Sequence, residues 1–425
     1  MPSSTTTRRR RSSSAASILQ PIQTNIKGTP SPTRSPKKSN QQSRRRSDSS
    51  ESGHRPRRKV SFANPISSTS SISNSTSTTK SASSKLSVQT ISLPGESQCV
   101  ALLERDIFAG FPRKFATPRT QIQTQAYQIA PCRSDRDRRS AGYGMFTTRK
   151  IPRGGAILVE RPVIVVSSSG LGSCAPIDQL LDSKVRSSVM RLTDVHARGD
   201  ATLEGIIRTN GLEFELGSRK CVGVFLDTSR VNHSCGPNAL WRWDPTSFSI
   251  TLEAVRPISA GSEITIPYID CLQPRAERRK QLKSLYQFDC YCQHCDIHWS
   301  EPNAAAKSDM NRKELREFWS RLPSFDAWCS NRKAPEDALI KLHLRGLELR
   351  AAEGLETFTY KRHIDSIAMC YGALEDAESF RCWMERARNA TMEEKTEKEM
   401  GVLMTWIEDP RRFPVWGWRR SALAR

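Results

Sequence analysis

Three cysteines stand close together in this chain, at Cys290, Cys292 and Cys295. A Cys-x-Cys-x-x-Cys run places three soft sulfur donors within six residues, a spacing suited to one divalent ion such as zinc. A closed structural zinc site takes four ligands, so a further donor has to come from elsewhere. Cys235, His294 and His298 are the candidates. Most of the remaining cysteines, of twelve in all, are scattered singly and read as core thiols. The N-terminus has no apolar leader and the chain has no apolar run of about 18 residues, so a secreted or membrane-spanning protein is not expected. In the reducing interior of a cell a disulfide framework is not expected either.

Two other stretches carry residue types that serve chemistry. One is Asn232-His233-Ser234-Cys235; the other is Gly261-Ser262-Glu263-Ile264-Thr265-Ile266-Pro267-Tyr268. Upstream, Gly142-Tyr143-Gly144 offers backbone with little side-chain cover, which lets a ligand approach closely. Short strands punctuated by Gly and Pro have to carry these groups. Gly142 to Thr148 reads as a turn entering a strand, Ile151 to Gly155 as a turn, and Ala156 to Glu160 as the next strand. The pattern recurs with strands at Ser249 to Val255 and Glu263 to Ile266, separated by a turn at Ile258 to Gly261. Residues 167–215 read as a helical insert. Residues 310–408 have helical periodicity, as in Leu339, Leu342, Leu347 and Leu349 among charged neighbours, and again from Ala377 to Ala390.

Composition sets the first 95 residues apart. Of the formal charge of +22, most lies here, with seventeen Lys and Arg against Asp48 and Glu51. A Ser-, Thr-, Arg- and Pro-rich segment with few large apolar side chains cannot offset its conformational entropy, so residues 1–95 are expected to be disordered. Their charge favours weak contact with nucleic acid or nucleosomes. Arg8 to Arg11, Arg44 to Arg46 and Arg55 to Lys59 fit nuclear import, and Lys59-Val60-Ser61-Phe62 looks like a docking motif for protein phosphatase 1. Residues 96–139 read as a lead-in segment.

In this order, the Gly-x-Gly, the Asn-His-Ser-Cys run, the Glu-Ile-Thr-Ile-x-Tyr strand and the Cys-x-Cys-x-x-Cys tail resemble a SET domain with its post-SET segment. The nearest likeness is to SMYD-type enzymes and their fungal relatives, strengthened by Glu277-Arg278-Arg279-Lys280-Gln281-Leu282 ahead of the cysteines. The resemblance implies a β-rich SET fold (a β-clip) over residues 140–270, interrupted by the helical insert. It also implies a zinc-bound post-SET segment over 271–298, followed by the α-helical tail. The activity it implies is S-adenosylmethionine-dependent methylation of a lysine in a histone or another protein, in the nucleus or between nucleus and cytoplasm. The alternative is an inactive SET protein that serves as a chromatin or partner-binding scaffold.

Carried over residue by residue, the resemblance makes Tyr268 the catalytic tyrosine. Gly142, Tyr143, Gly144, Asn210, Asn232 and His233 match cofactor-binding positions, and Phe288 matches the aromatic that packs on the adenine. Cys235 matches the fourth zinc ligand, beside Cys290, Cys292 and Cys295. The chain also departs from the pattern. The insert holds only Cys174 and His196, too few for the MYND zinc finger of SMYD proteins. Ser262 replaces a common Glu, Pro267 precedes Tyr268, and Gly236 stands where an acidic residue is usual.

Overall fold

The computed structural model describes residues 86–120, 122, 124–132, 142–296, 303–356, 358–389 and 397–424. Three sheets make up its β-rich part. The first contains β1 (Leu86–Ser92), β2 (Gln98–Glu104), β6 (Ile164–Ser167), β7 (Leu212–Leu216) and β8 (Arg219–Val224), in the order β1-β2-β6-β8-β7. In the second, β10 (Ala239–Asp244), β11 (Ser249–Ala254) and β5 (Ala156–Glu160) run antiparallel in that order. The third has the order β3-β4-β12-β9, from β3 (Tyr127–Pro131), β4 (Tyr143–Thr147), β12 (Glu263–Ile266) and β9 (Asn232–His233).

Alternation along the strands explains how the first sheet is buried on both faces. Val100, Leu102, Ile164, Val166, Val222 and Val224 share one core with Ile177, Val189, Ile206 and Ile207. Those four belong to the insert helices α2 (Ala175–Leu180), α3 (Ser183–Val189) and α4 (Leu203–Asn210). The intervening residues Cys99, Ala101, Leu103 and Val165 join the opposite core, with Phe214, Phe225, Phe248 and Ile250. Each such aliphatic contributes about 1.5–3 kcal/mol when fully buried, so this sheet anchors the domain.

Several sequence boundaries shift here. Residues 86–95 are not tail: β1 pairs along its whole length with β2, and Ile91 and Leu93 are buried. The lead-in likewise belongs to the fold. It supplies β2 inside the first sheet, the short helix α1 (Arg105–Ala109), and β3. The insert is helical only up to Asn210, because Leu212-Glu213-Phe214-Glu215-Leu216 alternates with a period of two and forms β7. The basic clusters, the Lys59–Phe62 motif and the expected disorder of residues 1–85 lie outside the described residues, as does His298.

After β12 the chain forms α5 (Arg275–Tyr286) and then the helical region, which begins earlier and ends later than expected: α6 (Ala304–Arg321), α7 (Phe325–Ser330), α8 (Ala338–Ala352), α9 (Phe358–Ala373), α10 (Ala377–Asn389), α11 (Glu397–Glu408) and α12 (Trp418–Ala424). Leu339 and Leu349 are buried as the periodicity requires, whereas Leu342 faces solvent. Arg419 of α12 is buried, donates to the carbonyls of Trp328 and Ala334, and lies over the Trp328 ring. The final helix is thereby fastened to α7.

Two histidines sit inside this helical region. His343 of α8 and His363 of α9 meet at 3.2 Å through their Nδ1 atoms, and Arg350 Nε donates to His363 Nε2 at 3.2 Å. Burial, followed by the Arg362 charge, pushes His343 down to about 4. Burial, then Arg350, His343 and Arg362, pushes His363 down to about 3. In an unfolded chain both would titrate near ~6.5. A depressed folded value means stability that is full above the unfolded value and is lost as pH falls toward the folded one. The thermal midpoint of the helical signal should therefore drop as pH falls from about 6.5 toward 4. Circular dichroism melts should show a flatter pH dependence in His363→Gln than in the wild type; equal slopes would remove the histidine pair as the cause.

Candidate functional site

The site grows from one short parallel pairing. Thr265 of β12 is the register partner of Asn232, and Ile266 that of His233, which sets the Asn-His-Ser-Cys run beside the strand leading to Tyr268. The turn before β9 is fixed by Glu160 at the end of β5. Its carboxylate accepts from the Asp227 and Thr228 amides at 2.8 and 2.9 Å and from the Thr228 hydroxyl at 2.6 Å. Tyr127 donates to Asp227 at 2.6 Å from the other side. Asn238 locks the far end, donating to the Glu263 carbonyl and accepting from the Thr265 amide, both at 2.8 Å.

Asn232 turns its amide toward β4. Nδ2 donates to Glu263 Oε1 at 2.8 Å and to the Tyr143 carbonyl at 3.3 Å, and lies 3.2 Å from the Cys132 sulfur. These groups crowd Gly144: a Cβ there would stand 2.7 Å from Glu263 Oε1, 2.8 Å from Cys132 Sγ and 3.0 Å from Asn232 Nδ2. At Gly142 a Cβ would meet nothing within 4 Å. The two glycines therefore differ. Gly144 is demanded by the protein's own packing, while Gly142 borders open space. Burial, then the Glu263 charge, raises the Cys132 thiol to about 11, so it stays protonated. Arg230 lies over the exposed Tyr143 ring at 5.8 Å.

Tyr268 is the hinge between this wall and the cysteines. Its amide donates to His233 Nδ1 at 3.0 Å, and its hydroxyl donates to the Val231 carbonyl at 2.7 Å. Burial raises the phenol well above its ordinary value, so it is a neutral hydroxyl. Tyr286 packs on it with ring centroids 4.9 Å apart. Both tyrosines line a narrow cavity of about 40 Å³ with Asn210, Ser229, Val231 and Ile266. The Asn210 amide donates to the Thr193 and Ile206 carbonyls at 2.7 and 2.8 Å, which fixes it in the wall of this cavity with Tyr268.

His233 has both ring nitrogens engaged. With Nδ1 accepting from Tyr268, the ring hydrogen falls on Nε2, which stands 3.3 Å from Cys235 Sγ. Burial pushes this imidazole down to about 4, so it is neutral. The ring thus spans from the tyrosine backbone to the cysteine cluster. Phe288 lies against it at 6.3 Å.

Four sulfurs converge below. The Sγ atoms of Cys235, Cys290, Cys292 and Cys295 all lie within 4.8 Å of one another, and Cys235 and Cys295 are 3.5 Å apart. Among the described residues this is the one group of three or more metal-ligating side chains. Of the two candidate donors within the described residues, Cys235 and His294, it is Cys235 that joins the run. Gln287, in the left-handed conformation at φ 59°, ends α5 and turns the chain into the cysteine loop. The donor set fits a thiophilic divalent ion: zinc–sulfur bonds of about 2.3 Å from a tetrahedron need sulfurs spaced as closely as these. Hydrogen bonds from Cys235, Cys290 and Cys295 hold the Cys292 thiol well below its ordinary value.

Two members of the site had no role assigned from the sequence. Glu263 was named only as part of its strand motif, and Cys132 is brought to Asn232 by the β3–β4 ladder and the hydrogen bond from the Cys132 amide to the Gly142 carbonyl. One departure finds a local cause. A Cβ at Gly236 would collide with the His294 ring, so an acidic side chain has no room there.

Comparison with known proteins finds likeness in the region that carries this site. Residues 142–269 match the model of the SET domain. The histone-lysine N-methyltransferase set5 of Schizosaccharomyces pombe is 32% identical over 199 residues, 46% of this chain and 58% of that protein. Mouse histone-lysine N-methyltransferase SMYD3 is 35% identical over 106 residues, 25% of this chain and 24% of its own length. The zebrafish N-lysine methyltransferase SMYD2-B is 36% identical over 96 residues, 22% of each chain. The matched region thus spans under three-fifths of the yeast relative and about a quarter or less of the other two.

The glycine pair gives a direct check on the geometry. Gly144→Ala should lower stability by about 1–3 kcal/mol, the usual cost of forcing an extra methyl group into a packed site. Gly142→Ala should melt within about 0.5 kcal/mol of the wild type, as substitutions away from such contacts do. Equal effects in denaturant titrations would contradict the packing around Asn232 and Glu263.

Proposed function

We propose that this SET-domain chain methylates a protein lysine, with S-adenosylmethionine as the methyl donor. The observation that carries the reading is Tyr268: a half-buried, neutral phenol fixed at 2.7 Å to the Val231 carbonyl in the wall of a narrow cavity. The names of the relatives support the same chemistry.

When bound, S-adenosylmethionine supplies a sulfonium-borne methyl group for in-line displacement by an amine. The protein's part is alignment and exclusion of water. Gly142, Tyr143 and Gly144 would offer main chain to the cofactor, and Asn232, held by Glu263, would offer its side-chain amide. His233 fixes the backbone of Tyr268, Phe288 supplies an apolar face for the adenine, and Asn210 closes the wall nearer the tyrosine. Tyr268 and Tyr286 put two packed aromatic rings on the cavity wall, a low-dielectric surface that would disfavour an ammonium and favour a neutral amine. With its hydrogen committed to Val231, the Tyr268 oxygen keeps lone pairs to accept from the amine and, weakly, from the polarised methyl.

Cys235, Cys290, Cys292 and Cys295 would hold zinc, which would tie the cysteine loop of a post-SET segment back to the Asn-His-Ser-Cys run beside Tyr268. A histone is the substrate class that the first relative's name favours, with residence in the nucleus or between nucleus and cytoplasm. The basic N-terminal segment would add weak nucleosome contact by counterion release. The departure at Gly236 has a local packing cause and leaves Tyr268, Asn232 and Phe288 in place, which favours the enzyme over the scaffold reading.

The test is transfer of radiolabelled methyl from S-adenosylmethionine to histones and to whole-cell extract, with the label located on lysine. Tyr268→Phe should bind the cofactor within about threefold of wild type and turn over roughly 10²-fold more slowly, as when a preorganised polar group is removed from an active site. Unchanged turnover in this variant would remove Tyr268 from the chemistry.

A further inference from the structure

The helical region meets the cysteine cluster through a contact that is unusually polar for a buried one. Arg312 of α6 has no exposed surface. Its Nη1 donates to the carbonyl of Cys235 at 3.1 Å and to that of Cys271, its Nε to Glu353 Oε2 at 2.9 Å, and its Nη2 to the Glu353 carbonyl at 3.3 Å. Glu353, at the end of α8, is also buried and accepts from Ser308 at 2.6 Å and Asn311 at 2.9 Å. Arg256 repeats the arrangement one residue along, donating to the carbonyls of Gly236 at 2.8 Å and Gly354 at 3.3 Å. Two arginines thus tie residues 353 and 354 to residues 235 and 236.

The backbones at this seam are close enough to exclude side chains. A Cβ on Gly354 would stand 3.3 Å from the Gly236 Cα and 2.9 Å from His294 Nε2, and Gly354 has φ +61°. Gly236 is closed off in turn by His294, whose carbonyl accepts from the buried Arg278 at 3.1 Å. Arg278 Nη2 also lies 3.9 Å from Cys295 Sγ. Both segments of the cluster are therefore gripped from behind: Cys235 by Arg312, and the 290–295 loop by Arg278 through its main chain.

We propose that the C-terminal helices position the metal cluster and the cofactor pocket, and that Arg312, held by Glu353, is the positioning residue through which they act. From Arg312 the contacts run to the Cys235 carbonyl, from Cys235 Sγ to His233, and from His233 to the Tyr268 amide. A ligand whose main chain is pinned cannot drift, and supports of this kind commonly change metal affinity by about 10–100-fold. The proposal rests on the zinc and methyl-donor readings above.

The test uses the full chain loaded with Co²⁺, whose sulfur-to-metal absorption reports thiolate ligation. Four proteins are compared: wild type, Arg312→Lys, Glu353→Gln, and Arg345→Ala. The last breaks an exposed pair with Glu314 between the same two helices, 3.2 Å long, and so serves as the control. The rate of Co²⁺ loss to EDTA and the dissociation constant for S-adenosylmethionine are measured on protein whose circular dichroism is that of the folded wild type. Arg312→Lys and Glu353→Gln should lose the metal at least about tenfold faster and bind the cofactor at least about tenfold more weakly, with the control unchanged. If either variant does not fold, the other decides. Folded variants with wild-type release and affinity, or a control that changes as much as they do, would overturn the proposal. A wild type that takes up no Co²⁺ would instead overturn the metal reading, and this proposal would fall with it.

Discussion

The convergence of Cys235 with Cys290, Cys292 and Cys295 is the constraint on which the rest of the site depends. It joins two segments far apart in sequence, one between β9 and β10 and the other beyond α5. Four thiols confined within 4.8 Å of one another gain little as thiols alone, because S–H groups make only weak hydrogen bonds. A divalent cation bound by their thiolates would turn the crowding into cohesion. Because His233 reaches from the Cys235 sulfur to the Tyr268 backbone, the geometry of the cluster is passed directly to the tyrosine.

Around that point the molecule is layered in a simple order. The first sheet and the insert helices form an apolar anchor, and the smaller sheets carry the polar groups outward from it. The short β9–β12 pairing is too small to be stable alone. It holds because Glu160, Asn238 and Glu263 satisfy the main-chain and amide groups around it. The helices complete the arrangement from behind, through a seam where arginines serve main-chain carbonyls that would otherwise be buried without partners.

Much of this was legible in the sequence, and the reasons are local. The strands at Ala156–Glu160 and Glu263–Ile266 fall where alternation and turn residues place them, and the three clustered cysteines announce a metal-binding loop by spacing alone. Cys235 was reached by resemblance rather than by spacing, since His294 offered an equal local claim; the fold gives His294 to Gly236 and Gly354 instead. β1 was missed because Leu86 to Ser92 continues the Ser- and Thr-rich texture of the segment before it, and its burial comes from β2, which no local pattern reveals. Glu263, Cys132 and Arg312 act through partners some thirty to a hundred and thirty positions away, so periodicity could not assign them.

The measurement that bears most directly on this account is zinc K-edge X-ray absorption on the purified full chain. The account predicts one zinc per chain, with four sulfur neighbours at about 2.3 Å and no nitrogen or oxygen in the first shell. In Cys235→Ser the count should fall to three sulfurs, or the metal should be lost. A first shell containing a nitrogen from histidine, or a Cys235→Ser protein that keeps the wild-type spectrum, would contradict the idea that this cluster joins the two segments and sets the position of Tyr268.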